Sequence, residues 1–569
     1  MFRSLLIISF IGAIHLNAQE YYVSTSGSDA ENGTSIESAW ESLQHAMDVA
    51  VPGSVVHVLE GVYNEKCYMN VDGVPGQFIE FRNYDGADVI IDGSGLADIA
   101  LLELYDANFI RVRGLQFRNN IQLDAIGLLI EGYSSNIEII DCKFSNIHFS
   151  ENEFTPVSAQ TNSQPIIVYG NEDQSISNLL FRGNEIFNCR TGYSEAFAIN
   201  GNVDGFELIN NHIHDVSNIG IDIIGHEGTC SDPILDQARN GLIQSNIANN
   251  CLSPYASAAG IYVDGGKGLI IERNQVYNNQ WGIEIGCENV GKTSSGIQIR
   301  NNFIYGNNLA GLAIGGYDYP NGSGSVVNCT IRNNSFFSND GDGDYTGEMA
   351  ISYVENTSIT ANIFHVSNVG NTLYYLDEAV PLPIGLTLNN NLWYSVSGPE
   401  DVSVSYYGIS YSNFTAYQAG TSQEENSIFA NPLYINSEIN NADLHLQENS
   451  PAIDAGDSAF IPADGETDID GDNRLVGTID LGADEFSGVN STQNSVQAEF
   501  KVYPNPASSS FRIVLNNNEQ TRLTVNDISG KTVLSENIQP GTNYIDVSSL
   551  RSGLYFISAN QLIARLIVE

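Results

Sequence analysis

Eight asparagines, Asn184, Asn211, Asn246, Asn274, Asn302, Asn334, Asn362 and Asn391, mark the middle of the chain at spacings of 27, 35, 28, 28, 32, 28 and 29 residues. One unit of about 28 residues therefore repeats, lengthened where a loop is inserted. Each unit holds short apolar runs of period 2, such as Gly282-Ile283-Glu284-Ile285 and Gly296-Ile297-Gln298-Ile299, separated by Asn and Gly turns, with no long helical stripe. Short strands at a constant period, stacked like on like, predict an all-β solenoid: a parallel β-helix whose inward Ile, Leu and Val form one core. The asparagines then have a structural role. They tolerate left-handed backbone at tight bends, and their stacked amides bond along the ladder.

The 569 residues need not split into several domains, because a repeat array grows by stacking. Residues 1–18, with Arg3, an apolar stretch from Leu5 to Ile14, and Ala18 before Gln19, read as a secretory signal peptide. No later apolar run approaches the ~20 residues of a membrane span. Sixty-eight acidic against 22 basic residues give a net charge of −46, which repels nucleic acid and leaves no basic stripe to hold it. The seven cysteines lack CxxC spacing, so no zinc–thiolate site is expected; they read first as free thiols buried in the β-helix, with a Cys230–Cys251 disulfide pinning the loop between them as the alternative.

Residues 19–436 read as the β-helix, with an amphipathic helix from Ile36 to Val49 covering its first coil. SGSDAENGT, the following AW and PGSVVHVLEGVY resemble the start of secreted right-handed β-helix polysaccharide lyases and hydrolases. Insertions fall at 148–164, 226–239, 252–258 and 317–325, where a repeat protein builds its binding face. Residues 437–487 resemble the choice-of-anchor segment that often closes such proteins. Asp468, Asp470 and Asp472 there have calcium-loop spacing without the distal Glu of an EF-hand, so a solvated acidic turn is the plainer reading. A linker at 488–498 precedes alternating strands at 499–569, read as a small β-sandwich. YPNPASS, DISGK and SGLYFI in it resemble the C-terminal sorting domain of type IX secretion. That resemblance implies export, with the secretion machinery as a partner and a secreted or cell-surface location.

Four successive coils align on their glycines at Gly220, Gly260, Gly282 and Gly311. The first and third residues after each glycine are aliphatic and face the core, so the second and fourth face outward. Asp222, Tyr262, Asp264 and Glu284 thus share one exposed strand face, with Glu288 and Glu227 in the turns beyond. At ~4.8 Å per coil the carboxylates stand about 8–9.5 Å apart, the spacing at which an inverting glycosidase admits a water between its acid and its base. Clustered carboxylates also raise one another's pKa, which keeps one of them protonated as the acid.

Asp264, Glu284 and Asp222 are therefore the candidate catalytic residues. Tyr262, Trp281, Tyr255, Tyr317 and Tyr319 are candidate sugar platforms, and Glu288, His226 and Lys292 candidate polar contacts. No cofactor is required for hydrolysis. A second reading is β-elimination on a uronic-acid polymer, with Asp222, Asp264, Glu284 and Glu288 holding calcium and Lys267 or Lys292 as base. The DDGWD-type run of family-nine pectate lyases is absent from the sequence. A third reading is a non-catalytic glycan-binding surface protein. All three take a polysaccharide, algal or plant by analogy, as partner.

Overall fold

The computed structural model describes residues 19–487 except Asp98 and Asn368, and in the C-terminal part residues 510–515, 521–527, 531–539, 541–548, 550–551, 553–559 and 562–568. The expected signal peptide and linker lie outside the described residues. Each coil gives one strand to each of three sheets, which among the described residues hold 13 strands apiece. Pairing is parallel throughout, apart from the last strand of sheet two. Sheet one begins with Glu20–Val23, sheet three with Gly61–Tyr63 and sheet two with Cys67–Met69. This is the right-handed parallel β-helix expected from the repeat. Its core is continuous from Tyr21 to Tyr417 and includes every inward residue of the four aligned coils: Ile221 and Ile223, Ile261 and Val263, Ile283 and Ile285, Leu312 and Ile314.

The recurring asparagines form one buried ladder. From Asn184 onward, the backbone N–H and side-chain amide of each donate to the Oδ1 of the next, at 2.8–3.2 Å. The same amide donates to a backbone carbonyl of an adjacent coil, as Asn302 does to Ile271 at 2.9 Å. The left-handed turn residue is not the ladder asparagine but the one before it, including Ser245 (φ 55°), Arg273 (φ 59°) and Ala361 (φ 57°). The expectation that these asparagines serve left-handed geometry is thus corrected: their role is the amide ladder. A second ladder, Asn279, Asn307 and Asn339, runs along another corner. Each ladder ends on a buried carboxyl that receives its last amide, Glu424 beyond Asn391 and Glu348 beyond Asn339. Asn302→Ala should leave several buried partners unbonded and lower stability by about 2–4 kcal/mol, read as a fall in denaturant midpoint.

The first coil is covered by less helix than expected. A single 3-10 turn, Ile36–Ser38, is followed by α1, Leu43–Val49, with Ala39 and Ser42 extended between them. Asp29 accepts from the N–H groups of Glu41 and Ser42, and Ser42 caps α1 through His45 N, so the helix starts late. Leu43, Ala46 and Met47 still enter the core. At the far end α2, Phe414–Thr421, closes the stack: Phe414 and Tyr417 join the same core and Tyr374 donates to the Tyr417 hydroxyl at 2.7 Å.

Residues 437–487, expected to close the β-helix, instead run along its flank. Leu444, Leu446, Ala452, Ile469, Leu481 and Ala483 pack with Tyr434 on the outward Phe303, Phe337, Ile363 and Leu392 of sheet three. Asp468 is not solvated: it is buried, accepting from Asp470 N and Asp472 N, while Asp470 pairs with His445. The cysteines follow the free-thiol reading, not the disulfide. All seven cysteines are buried and free, Cys251 in the β-helix core and Cys230 with its thiol against the Glu172 carbonyl.

Residues 488–569 form a separate compact unit. In it Ser510–Leu515 pairs with Gly541–Asp546, and a four-stranded antiparallel sheet is built from Thr521–Asp527, Thr532–Ile538, Gly553–Ala559 and Leu562–Val568. One core joins them, with Phe511, Leu523, Ile545 and Ile557 at its centre.

Candidate functional site

Sheet two carries an outward row that reads Ile167, Ala198, Asp222, Tyr262, Glu284, Ala313 and Ala350 across successive coils. The glycine alignment therefore holds, and Asp222 and Glu284 are two coils apart, about 9.6 Å between their Cα positions. Asp264 stands two residues beyond Tyr262 on the same strand, opposite Gly286. Ala313 and Ala350, carrying only a methyl group each, keep the surface low beyond Glu284.

The face is outward but covered. The loop after Ile224 folds back, with Gly225 paired to Gln237, and Asp236 accepts from Gly228 N and Cys230 N to hold its tip. Gln237 Nε2 donates to the carbonyls of Gly265 and Thr293, clamping the loop over the end of the row. Asp222 and Asp264 are only 3% and 5% exposed, not on the open face expected. Asp264 Oδ1 accepts from Glu288 N at 2.7 Å, while Asp222 Oδ1 is buried without a hydrogen-bond partner. Tyr262, 6% exposed, stands between Asp222 and Glu284, with its hydroxyl donating to Glu288 Oε1 at 3.3 Å. Its ring is wedged into the row and offers no face to a sugar, which corrects its reading as a platform.

Sequence reasoning missed Glu195. It precedes the strand Phe197–Gly201, outside any glycine-aligned motif, and its carboxyl accepts from Gln164 Nε2 at 3.3 Å. Burial and the charges of Glu288 and Glu227 outweigh its hydrogen bonds and push it up to about 7. Burial, then Glu288 and Asp264, push Glu284 up to about 8. Burial and Glu288 likewise raise Asp264 to about 8, against the Glu288 N–H bond. Asp222 is raised well above the carboxylate range by burial, then by Glu195 and Asp264. Glu288, at the exposed rim, is raised by burial and by Glu227. The charges acting on these five carboxyls are one another's and that of Glu227. The cluster thus carries protons at neutral pH, as a general acid must.

The other expected residues divide. Tyr317 is 61% exposed with its hydroxyl raised by burial and by Glu288, so its ring flanks the cluster. Tyr255, exposed on the Glu195 side, stacks on Tyr193 at 6.1 Å. Trp281 is half-buried at the start of the Glu284 strand. Tyr319 is taken up by stacking on Tyr353 at 3.9 Å. His226 is part of the clamp, its Nε2 facing Gln237 Nε2 and the Thr293 carbonyl. Lys292 is half-buried beside His226, whose pKa it helps lower after burial, whereas Lys267 is exposed just before the sheet-one strand Ile270–Glu272, bridged to Arg239 and Ser295.

Residues 21–217 match the Pel9A-like right-handed β-helix region, 234–432 a right-handed β-helix region, and 501–568 the secretion system C-terminal sorting domain. Over 448 residues the chain is 32% identical to the uncharacterized protein YwoF of Bacillus subtilis (strain 168), spanning 76% of this chain and 91% of YwoF. The chain belongs to the family of YwoF, and its residues 21–217 carry the Pel9A-like right-handed β-helix region. Pectate lyase PEL9 of Emericella nidulans is 28% identical over 200 residues, 32% of this chain and 46% of that protein. Among solved structures, pectate lyase Pel9A has a TM-score of 0.40 at 15% identity, covering 82% of this chain and 96% of its own. The GH136 lacto-N-biosidase from Eubacterium ramulus has a TM-score of 0.42 at 14% identity, covering 73% and 67%. The sorting domain marks this family member as exported, to the cell surface or beyond it. Among the described residues no helix is long and apolar enough to cross a membrane.

Proposed function

We propose that this exported β-helix cleaves a polysaccharide at the Asp222–Asp264–Glu284 row, by hydrolysis between paired carboxyl groups. The observation that carries the reading is the convergence of buried Asp222 and Asp264 with half-buried Glu284, their pKa values raised by burial and by neighbouring acids, with Asp264 and Glu284 at about 8. A carboxyl held protonated at neutral pH donates to the leaving oxygen, and an ionised neighbour activates water. Glu195 belongs to this set. Tyr317 on one side and Tyr255 with Tyr193 on the other are the stacking surfaces for sugar rings. The members of this cluster that do ionise have no arginine or lysine among their strongest neighbours and disfavour an anionic chain, so we take the substrate to be a neutral glycan.

A second reading, calcium-dependent β-elimination, is favoured by the likeness to pectate lyase PEL9 and by the unpartnered Oδ1 of Asp222. Asp222, Asp264, Glu284 and Glu288 supply hard oxygen donors of the kind that would hold calcium, which would neutralise a substrate carboxylate; Lys292 would be the base.

Incubating the full chain with neutral and uronic-acid glycans, with and without a calcium chelator, separates the two. Hydrolysis gives new reducing ends without an ultraviolet-absorbing product and is indifferent to the chelator. Its rate should fall as pH rises through about 8, where the acid loses its proton. An absorbing product abolished by the chelator would establish elimination, and no product from any glycan would leave a binding protein.

A further inference from the structure

On sheet three, away from the carboxylate row, Glu185, His212 and His214 present ligand atoms all within 4.8 Å of one another. The two histidines alternate outward on His212–Val216, and Glu185 lies directly opposite His212 on the preceding coil. Their rings stack at 4.1 Å, and Phe187 backs His214 at 5.5 Å, so the imidazoles are held in place. Lys143 Nζ occupies Glu185 Oε2 at 2.6 Å, which leaves Oε1 facing His214.

The hydrogen bonds set the ring nitrogens. His214 Nδ1 lies 2.7 Å from Asp215 Oδ2, a carboxylate that accepts a hydrogen bond from Nδ1–H, and in the neutral ring this puts the lone pair on Nε2. That lone pair faces Glu185 Oε1 at 3.4 Å, two acceptors aimed at one another. Zinc–nitrogen and zinc–oxygen bonds of about 2.0–2.2 Å at a tetrahedral angle set ligand atoms about 3.4 Å apart. The carboxylate behind His214 is also the usual outer partner of a metal-bound imidazole.

We propose that Glu185, His212 and His214 bind one zinc ion, clipping two successive coils together. The competing arrangement is a doubly protonated His214 bridging Asp215 and Glu185, which would exclude a dication.

The test is calorimetric titration of zinc chloride into the full chain after chelator treatment and dialysis, with thermal unfolding in parallel. Wild type should take up one equivalent more than His212→Gln or His214→Gln and lose its zinc-dependent rise in Tm in both variants. His445→Gln, at a separate His–Asp cluster, should keep the equivalent. Cobalt in place of zinc should give wild type visible ligand-field bands that Glu185→Gln weakens, a readout that does not depend on the histidine variants folding. Equal zinc uptake by wild type and both histidine variants, or no uptake by wild type at micromolar zinc, would overturn the proposal.

Discussion

Glu466→Ala should destabilise the β-helix unit by about 3–5 kcal/mol, the cost of leaving buried cations without their partner. The Glu466 side chain is fully buried and takes both Arg332 nitrogens at 2.6 and 2.7 Å and Arg300 Nη1 at 3.3 Å. It also accepts from Ala463 N and Asn301 Nδ2. Arg300 keeps Glu272 at 2.6 Å after the substitution, so Arg332 bears most of the loss. Because these contacts tie the flanking segment to coils more than 130 residues earlier, that segment should become protease-sensitive before the coils do. Denaturant unfolding and limited proteolysis check both effects.

The pH dependence follows from the same group. Burial alone would raise Glu466, but its bonds to Arg332 and the charges of Arg332 and Arg300 bring it down to about 2. Its folded pKa lies below the unfolded value of about 4.3, so its contribution is whole above that value and is lost as pH falls toward about 2. Asp264 and Glu284 act in the opposite sense. Raised to about 8, they bind protons in the folded chain that the unfolded chain has released, so stability declines as pH rises from about 4 to about 8.

The coil stack was legible in the sequence because period-2 runs and a fixed repeat leave a parallel ladder little freedom. The glycine alignment found the row at Asp222, Tyr262 and Glu284, since inward aliphatics fix which neighbours point out. What sequence could not supply was the third dimension of the loops. Nothing in 226–239 shows that Gln237 reaches the carbonyls of Gly265, next to Asp264, and of Thr293. Glu195 escaped because it enters the cluster from a turn, not from a strand position. The flanking segment was misplaced because its apolar pattern shows that it packs but not where, and its target is the outward Phe303, Phe337 and Leu392. The second asparagine ladder was readable in the pairs following Tyr277 and Gly306, five residues after Asn274 and Asn302.

Glu284→Gln should lower turnover by about 10²–10⁴-fold while leaving glycan affinity near wild type. Glutamine keeps the length and planarity of the side chain but cannot deliver a proton, and its carbonyl cannot activate water. It also removes one charge from a group of acids that hold each other's pKa values up, so Asp264, which is raised by burial and Glu288 first, should remain largely protonated. The loss is therefore one of chemistry, not of the site's ionisation or fold.

Initial rates of reducing-end release by wild type and Glu284→Gln on one neutral glycan, with binding of that glycan measured in parallel, test the carboxylate row most directly. The row is the reaction centre if binding persists and the rate collapses. Equal rates in the two proteins would place the chemistry elsewhere.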